Sequence, residues 1–326
     1  MGRVAIILGE PPDTAGLYDA ARLGWAPVMP ETAPPPAPTA AVSVADVVRA
    51  AARRLHQAGV PDPQVDAELL VAHVLDSSRG GVQAAAVRGD RMPEPAAQAL
   101  APLLDRRAAR EPLQHLTGLA PFRSMELAVG PGVFVPRPET EMVAQLAIDA
   151  LRSAASEAPI AVDLGTGSGA IALAMATEVP HARVFAAENS VDAFVWTKQN
   201  VARLGADNVT LAFVDLVDAF PDLDGTVSVV ASNPPYVPDD AIPRDPEVRL
   251  YDPPAALYGG PDGLDAVRQL SRVGLRLGHP GAVIVIEHGE WQGTAIREIL
   301  AADGWRSAAT HPDLTSRDRA TTALRP

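Results

Sequence analysis

Ile160-Ala161-Val162-Asp163-Leu164-Gly165-Thr166-Gly167-Ser168-Gly169 reads as a short apolar strand running into a glycine turn, and Ala170 to Thr177 then continues as a helix. Strand, glycine turn and helix in this order make a nucleotide-binding crossover. The glycines let backbone approach a ligand closely, and the helix N-terminus presents free N–H groups. Outward from it, Arg183 to Ala187 reads as the next strand and ends in Glu188, and Thr210 to Val214 reads as a third, followed by Asp215. Val227 to Ala231 is an apolar run broken only by Ser228, and Ala282 to Ile286 is fully apolar. Such runs suit strands buried on both faces of a parallel sheet. Leu264 to Leu277 and Trp291 to Ala301 read as helices, and the last strands fall near Trp305 to Ala309 and Ala320 to Leu324. About seven strands alternating with helices, then a terminal β-pair, predict an α/β fold with a doubly wound, Rossmann-like sheet.

The acids narrow the ligand. Gly165-x-Gly167-x-x-Ala170 also fits the dinucleotide fingerprint, and an acid such as Glu188 can accept from ribose hydroxyls, so NAD and S-adenosylmethionine both compete for this turn. Asp163 stands just before the turn, where it could meet an ammonium group and would repel a pyrophosphate. Asp215 has the chemistry to accept from an adenine amine. Both favour S-adenosylmethionine. Each acid taken singly also reads as a helix cap or a solvated loop charge.

Ser232-Asn233-Pro234-Pro235-Tyr236 follows the run Val227 to Ala231. Neither proline has an N–H and each fixes its own φ, so the strand cannot continue. The residue before a proline is pushed to extended geometry, which places Asn233 firmly at a strand's carboxyl end, where open α/β sheets bind ligands. The Asn233 side chain and the Pro234 carbonyl are two fixed acceptors side by side. They suit a planar NH2 group with two protons to give, and the Tyr236 ring can stack on the same flat group. The plainer reading is a Pro-rich turn with an Asn cap. A long polar loop follows, with Asp239, Asp240, Arg244, Glu247 and Arg249, and leads through Tyr251-Asp252-Pro253-Pro254 to Gly259-Gly260-Pro261-Asp262-Gly263. Loops of this length inside a compact domain are usually functional.

The first half is of a different kind. Residues 1–41 hold six prolines between Pro27 and Pro38 and read as a disordered extension. Ser43 is an N-cap candidate for a helix carrying Val44, Val47, Val48, Ala51 and Leu55 at helical spacing, and Gly59-Val60-Pro61 ends it. A second helix is predicted from about Pro63 to Leu75 and a third from about Pro95 to Arg110. Three or four short amphipathic helices make residues 42–118 a small helical domain, either purely structural or a docking surface. Residues 119–156 read as a linker with a β-hairpin, Phe122 to Val129 pairing with Val133 to Val135 around Gly130-Pro131-Gly132. Pro136-Arg137-Pro138-Glu139-Thr140-Glu141 then starts a helix, since proline and acids belong in a first turn. Arg137 is left over by that account and is either a surface charge or a substrate clamp. Residues 157–326 hold the crossover.

Composition excludes several classes. The 326 residues are 47% hydrophobic, enough for a sizeable core, while aromatics make up only 4% and leave few rings for stacking bases. There is no cysteine, hence no disulfide, thiolate nucleophile or Cys-ligated zinc. The seven histidines include no HExxH and no i,i+4 pair, and no metal is expected. A net charge of −13 argues against a duplex DNA binder. No apolar run reaches the length of a membrane span, and the patch from Val4 to Leu8 stops too soon for a signal peptide. A cytoplasmic location is the expectation.

Taken together, these residues resemble the class I S-adenosylmethionine-dependent methyltransferases, and more narrowly the N5-glutamine methyltransferases that modify peptide chain release factors. The pieces that carry the resemblance are Arg110-Glu111-Pro112-Leu113-Gln114, Val135-Pro136-Arg137-Pro138-Glu139-Thr140-Glu141, Asp163 to Gly169, Asn233-Pro234-Pro235-Tyr236, and Ala256-Leu257-Tyr258-Gly259-Gly260-Pro261-Asp262-Gly263-Leu264. They span about residues 43–326 in the family's order. Glu188 and Asp252 each hold the other acid at places where variation is expected. The resemblance implies S-adenosylmethionine as cofactor, held by Asp163, Gly165, Thr166, Gly167, Gly169, Glu188, Asp215 and Asn233. It implies a monomer, a helical domain that docks a release factor, and the glutamine of a Gly-Gly-Gln motif as methyl acceptor. Asn233, Pro234 and Tyr236 would be catalytic, and Asn233, Pro234, Pro235, Tyr236, Arg137 and Phe122 would hold the substrate. A sister group modifies a ribosomal protein glutamine. The other readings are an adenine-N6 methyltransferase acting on DNA or RNA, and a non-catalytic S-adenosylmethionine-binding protein.

Overall fold

The computed structural model describes residues 42–326 and divides them into two compact units, 42–117 and 118–326. The extension expected over 1–41 lies outside the described residues.

The first unit is helical: α1 (Val44–Gln57), α2 (Pro63–Val74), α3 (Arg79–Arg88), α4 (Glu94–Ala108) and α5 (Leu113–Thr117). The Ser43 hydroxyl accepts from the Asp46 N–H and starts α1, whose Val44, Val48, Ala51 and Leu55 line one buried stripe. The stripe packs on Ala67, Leu70 and Val71 of α2 and on Leu100 and Leu104 of α4. Two polar ties add specificity. Arg107 Nε lies 2.7 Å from Asp66 Oδ2 inside the bundle, and Glu68 accepts from Gln64, Arg79 and Gln83. Helix α3 was not expected. Val82 is its one buried residue and it holds two glycines, so it has no apolar periodicity to read.

The second unit is built on a seven-stranded sheet. Its elements are β1 (Leu119–Phe122), β2 (Met125–Ala128), α6 (Thr140–Arg152), β3 (Ile160–Leu164), α7 (Ala170–Glu178), β4 (Arg183–Glu188), α8 (Val191–Leu204), β5 (Val209–Phe213), β6 (Val227–Ser232), α9 (Pro246–Tyr251), α10 (Pro254–Leu257), α11 (Asp265–Leu277), β7 (Gly278–Glu287), α12 (Gly293–Asp303), β8 (Arg306–Pro312) and β9 (Asp318–Leu324). The strand order is β5-β4-β3-β6-β7-β9-β8. The first five are parallel, and β9 joins β7 and β8 antiparallel. The expected terminal pair is therefore part of the seven strands, not an addition to them. Period-2 alternation divides the core between the two faces. Ala161, Val229 and Ala231 face the layer of α6 and α7, while Val162, Leu164 and Val230 face α11 and α12. Strand order reverses between β3 and β6, and a ligand crevice belongs at that switch point, at the carboxyl ends of the strands.

The hairpin sits elsewhere than expected. It joins β1 to β2, with Phe122 opposite Met125 and the turn at Arg123-Ser124. Arg123 takes φ +53 without being glycine. Its N–H donates to Glu141 and its guanidinium meets Glu178 and Gln145, so tertiary contacts hold the turn. The Gly130-Pro131-Gly132 stretch packs on α8 instead. A Cβ on Gly130 would come within 2.5 Å of Trp196, and one on Gly132 within 2.6 Å of Asp192. The segment read as a linker is thus woven into this unit's core, with Phe122, Met125 and Leu127 in one cluster with α6 and α7.

Candidate active site

A cavity of about 570 Å³ opens where β3, β4 and β6 end. The glycine turn forms its floor. Gly165 and Gly167 lie at φ +71 and +61, and a Cβ on either would meet nothing within 4 Å. Backbone sign therefore demands glycine at both, and the space above them stays open for a ligand. Gly165 and Thr166 both donate to the Ala187 carbonyl at 3.0 Å and tie the turn to β4. Gly169 is different. It does not line the cavity, lies at φ +87 as the N-cap of α7, and packs on Leu173 and Thr197.

Three acids surround the turn. Asp163, the last residue but one of β3, is almost wholly buried. Its Oδ2 accepts from the Thr166 hydroxyl at 2.6 Å and the Ala172 N–H at 3.0 Å, whereas Oδ1 has no partner among the described residues. Burial pushes its pKa up to about 7 against those two hydrogen bonds. Glu188, also buried, accepts from the N–H groups of Gly167, Asn189 and Ser190 at 2.8, 3.0 and 2.8 Å. Burial raises its pKa although all three contacts oppose the rise. Asp215 is exposed at the cavity edge, where it caps a short 3-10 turn through the Val217 N–H and accepts from Asn189 Nδ2 at 3.0 Å.

The opposite wall is Asn233 to Tyr236. Asn233 leaves β6 with its Nδ2 3.4 Å from the Thr140 hydroxyl at the start of α6, which turns Oδ1 the other way. Pro234, Pro235 and Tyr236 line the cavity beside it. Burial raises the Tyr236 phenol, and the nearby Glu287 adds to this, so Tyr236 stays a neutral ring. The long loop folds back to brace this turn. Val237 donates to the Leu257 carbonyl, Gly259 donates to Val237, and Gln292 Nε2 reaches the Tyr236 carbonyl at 2.9 Å. A Cβ on Gly259 would stand 2.3 Å from the Pro235 oxygen, and one on Gly263 2.2 Å from the Tyr236 oxygen. Only glycine lets the two segments approach so closely.

Two expected substrate residues sit differently. Phe122 is 1% exposed in the apolar core and does not reach the cavity, because alternation along β1 turns it inward. Phe134 lines the cavity instead, between the buried Val133 and Val135. That alternation was readable; its in–out sense was not. Arg137 lies on the wall, but its Nη2 is engaged 2.7 Å from Asp252 Oδ2 and its guanidinium sits 5.1 Å over the Phe134 ring. Asp252 is buried, which raises its pKa; Arg137 opposes that rise. Glu287 at the end of β7 was not anticipated. It is buried beside Thr140 and Asn233, and burial pushes it up to about 8.

A glycine turn at the switch point, acids around it and a braced Asn-Pro-Pro-Tyr wall fit a methyltransferase. Comparison with known proteins agrees. Residues 46–118 match the PrmC N-terminal domain and residues 124–246 the methyltransferase small domain. The chain is 49% identical to a release factor glutamine methyltransferase of Streptomyces coelicolor over 85% of its own length and 96% of the relative's. It is 41% identical to one from Bifidobacterium longum, over 85% and 97%. A 4-amino-L-phenylalanine/4-methylamino-L-phenylalanine methyltransferase of Streptomyces pristinaespiralis is 40% identical over 68% of this chain and 75% of that protein. The chain belongs to the release factor glutamine methyltransferase family.

Proposed function

We propose that this protein transfers a methyl group from S-adenosylmethionine to the side-chain amide nitrogen, N5, of the glutamine in the Gly-Gly-Gln motif of a peptide chain release factor. The observation that carries this reading is the Asn233–Pro234 wall, which holds two neighbouring acceptors at one end of a cavity ringed by acids. The family relatives support the choice of glutamine.

The residues fit the cofactor. The buried Asp163 Oδ1 is an unused acceptor for an ammonium group, and Glu188 can take ribose hydroxyls with the lone pair its three N–H partners leave. Asp215, at the cavity edge, can accept from an adenine amine, and Gly165 and Gly167 leave backbone open to close approach. When bound, S-adenosylmethionine supplies a methyl group made electrophilic by its sulfonium. The protein's task is the nucleophile. An amide nitrogen is poor because its lone pair is delocalised into the carbonyl. Asn233 Oδ1 and the Pro234 carbonyl accept its two N–H bonds and aim the nitrogen, an orientation effect that can contribute about 7–11 kcal/mol. The same oxygens stabilise positive charge growing on nitrogen. Tyr236 and Phe134 offer flat apolar surface to the amide plane. The extra proton leaves to water.

Residues 42–118 then serve as the docking surface for the release factor. The enzyme works as a cytoplasmic monomer without direct nucleic-acid contact. The test is mass spectrometry of an intact release factor incubated with enzyme and labelled cofactor. One added methyl group on the Gly-Gly-Gln glutamine is the expected result. Label appearing only on a ribosomal protein, on duplex DNA or on a free aryl amine would refute the assignment.

A further inference from the structure

Arg137 stands between Pro136 and Pro138, each of which fixes its own φ. Its carbonyl accepts from the Thr140 N–H at 3.1 Å, so the backbone is held before the side chain makes any contact. The guanidinium then makes two contacts at once. It lies 5.1 Å over the Phe134 ring, within cation–π range. Its Nη2 donates to Asp252 Oδ2 at 2.7 Å, 115 residues further along the chain. Asp252 is 4% exposed, and a carboxylate so buried is costly to leave without its cation. The contact is therefore unlike an exposed surface pair, which constrains little.

Both ends of this contact lead to the cavity. Phe134, Pro136 and Arg137 form one stretch of its wall, and Pro253, Ala256 and Leu257 form another. Asp252 stands where α9 ends, and Pro253 beside it caps α10. The far end of α10 is fixed in turn. Leu257 accepts from the Val237 N–H at 2.8 Å, and the Gly259 N–H donates to the Val237 carbonyl at 2.9 Å, one residue past Tyr236. Asp252 thus anchors the near end of a segment whose far end is bonded to the Asn233–Tyr236 wall. One guanidinium links a ring on the cavity wall to the segment that braces that wall. We propose that Arg137 is a positioning residue rather than a clamp on the substrate. Gripped by Asp252, it holds Phe134 and α10 in fixed relation, and so sets the spacing between Phe134 and Tyr236, the two flat surfaces that receive the amide. This rests on the glutamine-methylation reading above.

The experiment measures kcat and KM for a release factor, cofactor Kd by calorimetry and melting temperature. The proteins are wild type, Arg137→Met, Asp252→Leu, the double variant and Arg137→Lys. Each apolar single variant strands one partner of the pair and should lower the melting temperature. It should also cut kcat about 10- to 100-fold, the range for misplacing a positioned group by about 1 Å, with KM and cofactor Kd within a few fold. The double variant puts apolar side chains where the buried pair stood and should regain melting temperature. Its kcat should stay as low as in the singles, because neither the cation over Phe134 nor the directed tie to Asp252 returns. Arg137→Lys keeps the charge but offers the ring no plane, and its kcat should fall about 10-fold. It carries the test if Asp252→Leu does not fold. A double variant whose kcat recovers along with its melting temperature would overturn the proposal, because the pair would then serve stability alone. So would Asp252→Leu turning over like wild type while Arg137→Met raises KM, since Arg137 would then bind the substrate itself. Arg137→Lys with a wild-type kcat would overturn it as well. Wild type that leaves Gly-Gly-Gln unmethylated would refute the functional reading itself, before any variant is compared.

Discussion

Cofactor affinity should depend on pH through Asp163, and the sign follows from where that residue sits. Buried near the end of β3 with Oδ1 unpartnered, Asp163 is held up to about 7 by desolvation. Below that value the ligand-free protein carries it neutral. An amino acid's ammonium group stabilises only the ionised form, so binding must expel the proton and pay for doing so. The α-amino group, with an ordinary pKa near 8, stays charged over the same window. The observed association constant should therefore fall by about tenfold for each pH unit below 7, or ~1.4 kcal/mol per unit, and reach its maximum between 7 and the pKa of the amine. From pH 7.5 to pH 5.5 the loss comes to roughly 20- to 30-fold on the same basis. Calorimetry in buffers of different ionisation heat should detect about one proton released per cofactor near pH 6. Glu188 is also raised by burial and adds in the same direction, so Asp163→Asn is the control. It should bind more weakly at pH 8 and lose most of the pH slope. An affinity flat from pH 5.5 to 7.5, or a slope undiminished in Asp163→Asn, would refute the assignment of Asp163 to the ammonium.

Three further outcomes are expected. Asn233→Ala should lower kcat by about 10²–10³ while cofactor affinity by calorimetry stays within a few fold; retained turnover would remove Asn233 from the chemistry. Glu188→Ala should weaken cofactor binding by about 1.5–3 kcal/mol and also lower the melting temperature, because the Gly167, Asn189 and Ser190 N–H groups lose their acceptor. An unchanged Kd would move the ribose role elsewhere. Gly263→Ala puts a Cβ 2.2 Å from the Tyr236 oxygen at φ +74, so the turn must shift. Its kcat should drop ~100-fold, more than its cofactor Kd changes, and a wild-type kcat would show that the brace does not position Asn233 to Tyr236.

Residues whose environment is set locally were legible, and those set by register were not. β3 was read residue for residue as Ile160–Leu164, because four of its five residues are apolar, as a strand buried on both faces requires, and glycine punctuates its end. Asp163 lies in β3, Glu188 ends β4 and Asp215 stands two residues past β5, so reading the strands placed them on the cavity. The hairpin failed for the opposite reason. Gly130-Pro131-Gly132 has strong local turn chemistry, whereas the actual turn at Arg123 is held by Glu141 and Glu178, residues far along the chain. Phe122 and Phe134 were exchanged as a consequence, since a shifted hairpin reverses which side chains face inward. Glu287 is the extreme case. An acid ending an apolar strand reads as an ordinary solvated charge. Only the pairing of Ser232 with Ile286 and the placing of Thr140 over both strand ends bring it to Asn233. The surroundings of Asn233 are thus built by residues from three separate stretches of chain, and no spacing along any one of them announces it.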